Sequence, residues 1–89
     1  MKAIVTVVGK DTVGIIADVC SQLAACGVNV LDISQTVLHG YFTMIMMADL
    51  DGASTDFAHI AEQLAENGKK RGLDIRMQRE DLFQAMHRI

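Results

Sequence analysis

A chain of 89 residues with a formal net charge of -3 has room for one small domain and lacks the basic excess of a general nucleic-acid binder. No apolar run approaches the roughly 20 residues that span a bilayer, and Met1-Lys2 leads into a strand pattern rather than a signal peptide, so a cytoplasmic protein with no membrane association is expected. About half of the residues (51%) are apolar, enough for a core, yet a domain this small buries a modest share of its surface and would gain from association with another copy.

Residues 2–8 are rich in β-branched side chains and stop at Gly9, which predicts a strand. Its nearly continuous apolar character predicts a central strand covered on both faces. The turn Gly9-Lys-Asp-Thr-Val-Gly14 follows. Asp11 or Thr12 is the expected N-cap of a first helix, a side-chain oxygen accepting an N–H of the first turn. Ile16, Cys20, Leu23 and Gly27 form a stripe at helical spacing, widened by Val13, Ala17, Val19 and Ala24. Asp18, Ser21 and Gln22 fall on the solvent side. Gly27 suits the position just past the helix end. The cysteines, Cys20 and Cys26, have neither C-x-x-C nor zinc spacing and read as small buried side chains.

Val28 to Leu38 predicts a second strand, with Leu31, Ile33 and Val37 toward the core and Asp32, Ser34 and Thr36 on the polar side. His39-Gly40 is a two-residue hairpin turn. Tyr41 to Leu50 returns as a third strand in which both parities are substantially apolar. Asp49 and Asp51 flank a turn, and Ser54, Thr55 and Asp56 offer N-caps. Phe57, Ile60, Ala61, Leu64, Ala65 and Gly68 then repeat at the cleanest helical spacing in the chain. Lys69, Lys70 and Arg71 read as cations capping that helix's C-terminal dipole, rather than as a phosphate or nucleic-acid patch. Leu73, Ile75 and Met77 alternate with Asp74, Arg76 and Gln78, which suggests a half-buried edge strand opened by Gly72. Leu82, Phe83, Met86 and Ile89 continue as a short amphipathic tail.

The order β-α-β-β-α-β predicts an α+β, ferredoxin-like fold: an antiparallel four-stranded sheet with two helices on one face, over residues 1–79, followed by a C-terminal helical tail over residues 80–89. Both helices cover one face, so Ile45, Met47 and the alternate face of the first strand would be bare unless the tail or a second copy covers them. The chemistry points to binding rather than catalysis. Gly9 and Gly14 make G-x-x-x-x-G, but Ile15-Ile16 stands where a phosphate loop needs Lys and Ser/Thr. Two readings of these glycines stay open. Gly9 would end a strand and Gly14 would let the helix approach the sheet, or the small residues would admit an anionic group at the helix N-terminus. His39, His59 and His87 show no metal-ligand spacing and read as surface residues. No catalytic set is placed together, and neither a metal nor a cofactor is implied.

The segment Gly9-Lys-Asp-Thr-Val-Gly-Ile-Ile-Ala17, with Cys-Gly-Val-Asn-Val-Leu-Asp-Ile33 after the helix, resembles the opening of an ACT domain. The resemblance extends over about residues 2–79. It is nearest to small stand-alone ACT proteins of uncharacterised function, and to the ACT modules of formyltetrahydrofolate deformylases, some phosphoserine phosphatases and glycine-cleavage repressors. It implies a regulatory module, not an enzyme, that binds an amino acid or similar metabolite at the interface of a homo-oligomer, expected to be a dimer. The implied ligand-binding residues are Asp11, Val13, Gly14, Ile15 and Asn29. Asp11 would meet an α-ammonium group, the backbone at Val13, Gly14 and Ile15 a carboxylate, and Asn29 would reach across from the neighbouring copy. Val13 replaces a proline frequent in the family, and Gly9 stands where serine-binding members carry histidine, so serine is not implied. With no catalytic domain in view, a regulated partner would be a separate protein. The alternative is a protein-interaction adaptor with no metabolite ligand. A small phosphatase-like enzyme is disfavoured, because Lys10 is the only cation in the first loop. A nucleic-acid binder is disfavoured by the shortage of outward aromatics, Tyr41 being the lone candidate.

Overall fold

Local chemistry divides the chain into six elements. A computed structural model describes residues 1–10 and 13–81 and shows β1 (Lys2–Lys10), α1 (Ile15–Ala25), β2 (Asn29–Leu38), β3 (Tyr41–Asp49), α2 (Phe57–Lys70) and β4 (Leu73–Arg79). The strands form one sheet in the order β2-β3-β1-β4 with every pairing antiparallel. This is the ferredoxin-like arrangement. The predicted tail lies outside the described residues from Leu82 onward.

β1 is central by pairing, between β3 and β4. Its two faces are unequally covered, however: on the face away from the helices Ile4 is buried and Thr6 half-buried. Ala3, Val5 and Val7 are fully buried toward the helices, while Val8 on the opposite face stays 41% exposed. Facing the same way as the buried set are Phe42, Met44, Met46 and Ala48 of β3 and Leu73, Ile75 and Met77 of β4. The helices close this layer with Ile15, Val19 and Leu23 from α1 and Ile60, Leu64 and Gly68 from α2. Met46 is wholly buried, so Met46→Ala removes a side chain whose loss from a core costs about 2–5 kcal/mol.

Two expectations for α1 need correction. Its N-cap is Gly14, in the left-handed conformation at φ 86°, with no side-chain cap; a glycine turn replaces the expected hydroxyl or carboxylate. Its inward stripe runs through Ile15, Val19 and Leu23, with Ile16 and Cys20 only partly buried and Val13 and Ala17 exposed. Leu23 and Val19 are common to both readings, Ile15 joins them, and Ile16 and Cys20 pack at the margin of the stripe. The C-terminus is as expected. Gly27 (φ 75°) donates to Ala24 O at 3.0 Å and Val28 donates to Leu23 O at 3.0 Å, the paired bonds of a Schellman motif. Cys26 is buried and Cys20 half-buried, both as free thiols.

β2 differs most from expectation. Ile33 and Val37 do face the helix side, across from Met46 and Phe42, yet they remain 39% and 52% exposed. β2 is an edge strand, and its helix-side residues from Ile33 onward stay exposed. A bulge between Val30 and Asp32 puts Leu31 out of register. β4 is the other edge, alternating buried and exposed as predicted. The hairpin at His39-Gly40 has positive φ at both residues (53° and 79°), the signature of a type I′ turn. Asp56 caps α2, accepting from His59 N at 2.9 Å, and Asp49 accepts from Asp51 N at 2.9 Å.

A Cβ on Gly27 would lie 2.6 Å from the Gly52 carbonyl oxygen, a backbone atom that cannot swing aside. Gly27→Ala therefore combines that clash with a left-handed backbone, whose cost alone is roughly 1–2 kcal/mol. A drop in the urea midpoint corresponding to at least that loss is expected, with an unchanged slope.

Candidate functional site

The loop between β1 and α1 is set by a close approach lower down. An ideal Cβ on Gly9 would come 2.6 Å from Leu73 Cδ2 and 3.0 Å from the Gly72 carbonyl oxygen. Gly9 is thus inside β1, paired with both Phe42 and Leu73, and its missing side chain lets β4 start against it. Gly14 has the opposite surroundings: among the described residues nothing beyond its chain neighbours lies within 4 Å of where its Cβ would be. The expected role of Gly14 in close helix–sheet packing is therefore corrected. Gly9 permits the close approach, and Gly14 supplies the left-handed turn in open space.

Because β1 and β4 run antiparallel side by side, the loop after β1 adjoins the turn before β4. Arg71 occupies that turn. Its Nη2 donates to Val13 O at 2.8 Å and its Nη1 to Gly14 O at 3.4 Å. Its Nη1 also lies 3.1 Å from Asp18 Oδ2 in the first turn of α1. The guanidinium therefore spans two successive carbonyls and a carboxylate. Reading Lys69, Lys70 and Arg71 as one capping cluster missed this. Lys69 and Lys70 do lie in the last turn of α2, but Arg71 reaches across to α1. The signal was in the topology: adjacent antiparallel strands place the end of one beside the start of the other.

The structure brings together Val13, Gly14 and Ile15. Val13 is 98% exposed, and Ile15 is 2% exposed with its side chain in the core, so Ile15 can offer only its backbone. Asp11 lies outside the described residues. Asn29 is exposed but stands elsewhere. As the first residue of β2 it pairs with Asp49, which pairs with Lys2, at the end of the sheet opposite Gly9. One chain does not bring Asn29 to the turn. At that far end the Met1 ammonium donates to Asp51 and holds its carboxyl below the usual carboxylate range.

On the face away from the helices, a shallow hollow of about 180 Å³ is lined by Ile4, Asp32, Ile33, Ser34, Ile45 and Met47, among others. Ile45 and Tyr41 on this face are 46% and 56% exposed. His39 and His59 are exposed, and His87 lies outside the described residues. Among the described residues no three His, Cys, Asp or Glu side chains gather as a metal site.

The ACT domain family model matches residues 2–78. A UPF0237 protein of Bifidobacterium longum is 54% identical over 88 residues, 99% of this chain and 98% of the relative. A solved ACT domain protein from Streptococcus pneumoniae superposes with a TM-score of 0.82 at 42% identity, covering 98% of each chain. A formyltetrahydrofolate deformylase from Pseudomonas putida shares the fold alone, with a TM-score of 0.74 at 18% identity over 88% of this chain and 28% of its own. A match over nearly the whole length, to both the family model and a relative of this identity, means that the chain belongs to the ACT domain family, among the UPF0237 proteins.

Proposed function

We propose that the chain is a regulatory module without catalytic activity, which binds an amino acid or similar small metabolite between two copies of itself in the cytoplasm. The observation that carries this reading is the open Gly14 turn. The first amides of α1 have no partner within the helix, and among the described residues no atom beyond its chain neighbours lies within 4 Å of an ideal Cβ on Gly14. Such amides suit a carboxylate. In this reading Gly14 and Ile15 bind the carboxylate through the backbone, Val13 flanks it, and Asp11 meets the α-ammonium group. Asn29 comes from the second copy, since within one chain it stands at the other end of the sheet.

The two edges of the sheet favour β2 as the interface. β4 presents Asp74 and Arg76 outward, paired at 3.2 Å, and charges of this kind discourage further strand pairing. β2 has ten residues, no lysine or proline, and Asp32 as its one charge. Leu31, Val37 and Leu38 are 46%, 52% and 65% exposed along it. A second β2, paired antiparallel about a two-fold axis, would satisfy the edge and continue the sheet. A regulated partner would then be a separate protein. Among the described residues no helix is long and apolar enough to cross a membrane.

The exposed Ile45 and Tyr41 favour a second reading, a protein-interaction adaptor without a metabolite. Thermal-shift screening separates the two. A bound amino acid at a hundred times its Kd adds about 2.7 kcal/mol of stability and raises the melting temperature. Silence across the amino acids at millimolar concentration, with pure folded protein, would remove that ligand class and leave the adaptor. The interface has its own test. Leu31→Lys with Val37→Lys is expected to convert a dimer to a monomer in light scattering with an unchanged circular dichroism spectrum. A double variant that stays dimeric would place the interface elsewhere.

A further inference from the structure

We propose that Arg71 is a positioning residue for the binding turn, holding the amides of Gly14 and Ile15 in the orientation that receives the ligand. This rests on the amino-acid-binding reading above and adds to it a residue far away in sequence.

The geometry follows from the planarity of the peptide bond. In a trans peptide the C=O and the next N–H point in opposite directions. Arg71 fixes the Val13 carbonyl toward itself at 2.8 Å, which turns the Gly14 N–H away from α2. The Gly14 carbonyl accepts from Asp18 N at 2.9 Å and from Arg71 Nη1 at 3.4 Å, which turns the Ile15 N–H the same way. Two successive amides thus face outward because their neighbouring carbonyls are held inward. Glycine at this turn has unusual backbone freedom, and an unheld turn would sample many orientations. Fixing it before the ligand arrives reduces the ordering cost of binding.

Charge is not the main contribution. The Arg71 cation is offset by Asp18 at 3.1 Å, and both side chains are partly solvated, so little net field reaches the ligand. Shape matters more. A planar guanidinium presents donors on separate nitrogens in a fixed fork, whereas lysine carries its three donors on one freely rotating nitrogen. The role therefore belongs to arginine at this position and not to the basic cluster in general.

The test compares Arg71→Ala, Arg71→Lys and Lys70→Ala by two readouts. The first is the Kd of whichever amino acid stabilises the wild type. Arg71→Ala is expected to weaken it by tenfold or more, Arg71→Lys to restore little, and Lys70→Ala to leave it unchanged. An Arg71→Ala protein that binds like the wild type overturns the proposal, as does equal weakening by Lys70→Ala. The second readout needs no ligand: the 1H–15N resonances and hydrogen exchange of the Gly14 and Ile15 amides. Both are expected to shift and exchange faster in the Arg71 variants alone. Unchanged amides overturn the clamp even if the wild type binds. Altered amides in a protein that binds no amino acid retain the clamp and reject the ligand class. Should Arg71→Ala fail to fold, Arg71→Lys carries both readouts.

Discussion

The end of β1 lies close against the start of β4 at a glycine, and much else depends on that contact. The position is Gly9, where a Cβ would meet both the Leu73 side chain and the Gly72 carbonyl. With the strands this close, the loop leaving β1 and the turn entering β4 become neighbours. Arg71 can then reach Val13, Gly14 and Asp18. Helix α1 starts on a left-handed glycine with no side-chain cap, and the carbonyls at that start are secured from α2's side of the molecule.

The same sheet leaves an asymmetry between its faces and between its edges. One face is sealed by Ile15, Val19, Leu23, Ile60 and Leu64. The other carries Val8, Tyr41 and Ile45 toward solvent. Of the two edges, β4 carries Asp74 and Arg76, while β2 carries leucines, valines and an isoleucine. A small domain with one sealed face and one bare edge has apolar surface left to bury, and burial is worth about 25 cal/mol per Å². The amino-acid-binding reading uses this surface for a second copy, whose Asn29 would complete a pocket that one chain leaves half built.

Most of the architecture was legible because periodicity is a direct imprint of burial. The α2 repeat from Phe57 to Gly68 and the alternation of β4 translate directly into the structure. So does the His39-Gly40 turn, where hairpin chemistry demands positive φ. The misreadings had separate physical causes. The start of α1 reads as a side-chain cap where the Gly14 backbone supplies it, and Ile15 is left out of a stripe that otherwise holds Val19 and Leu23. β2 was given a core face because Ile33 and Val37 alternate correctly, but alternation reports which way a side chain points, not whether anything lies there. Gly9 and Gly14 exchanged roles, since identity alone does not tell a glycine needed for space from one needed for φ. Arg71 was hidden by its neighbours: beside Lys69 and Lys70 it looked like one more helix-capping cation.

Helix α1 is fixed at both ends by segments flanking α2. At its start Arg71 holds the Val13 and Gly14 carbonyls. At its finish the Cys26 carbonyl accepts from Ser54 N at 2.8 Å and from Ser54 Oγ at 3.2 Å, beside the contact of Gly27 with Gly52. The Gly14 turn stands at one end of this rod and Asn29 just past the other. Eleven helical residues at about 1.5 Å each make α1 a ruler of roughly 17 Å. In the proposed two-fold dimer, that length would separate the turn one chain offers to its own pocket from the Asn29 it offers to its partner's. Lengthening or shortening α1 by a turn would pull one of these two ends off its anchor, so the fold itself fixes how far the Gly14 turn stands from Asn29.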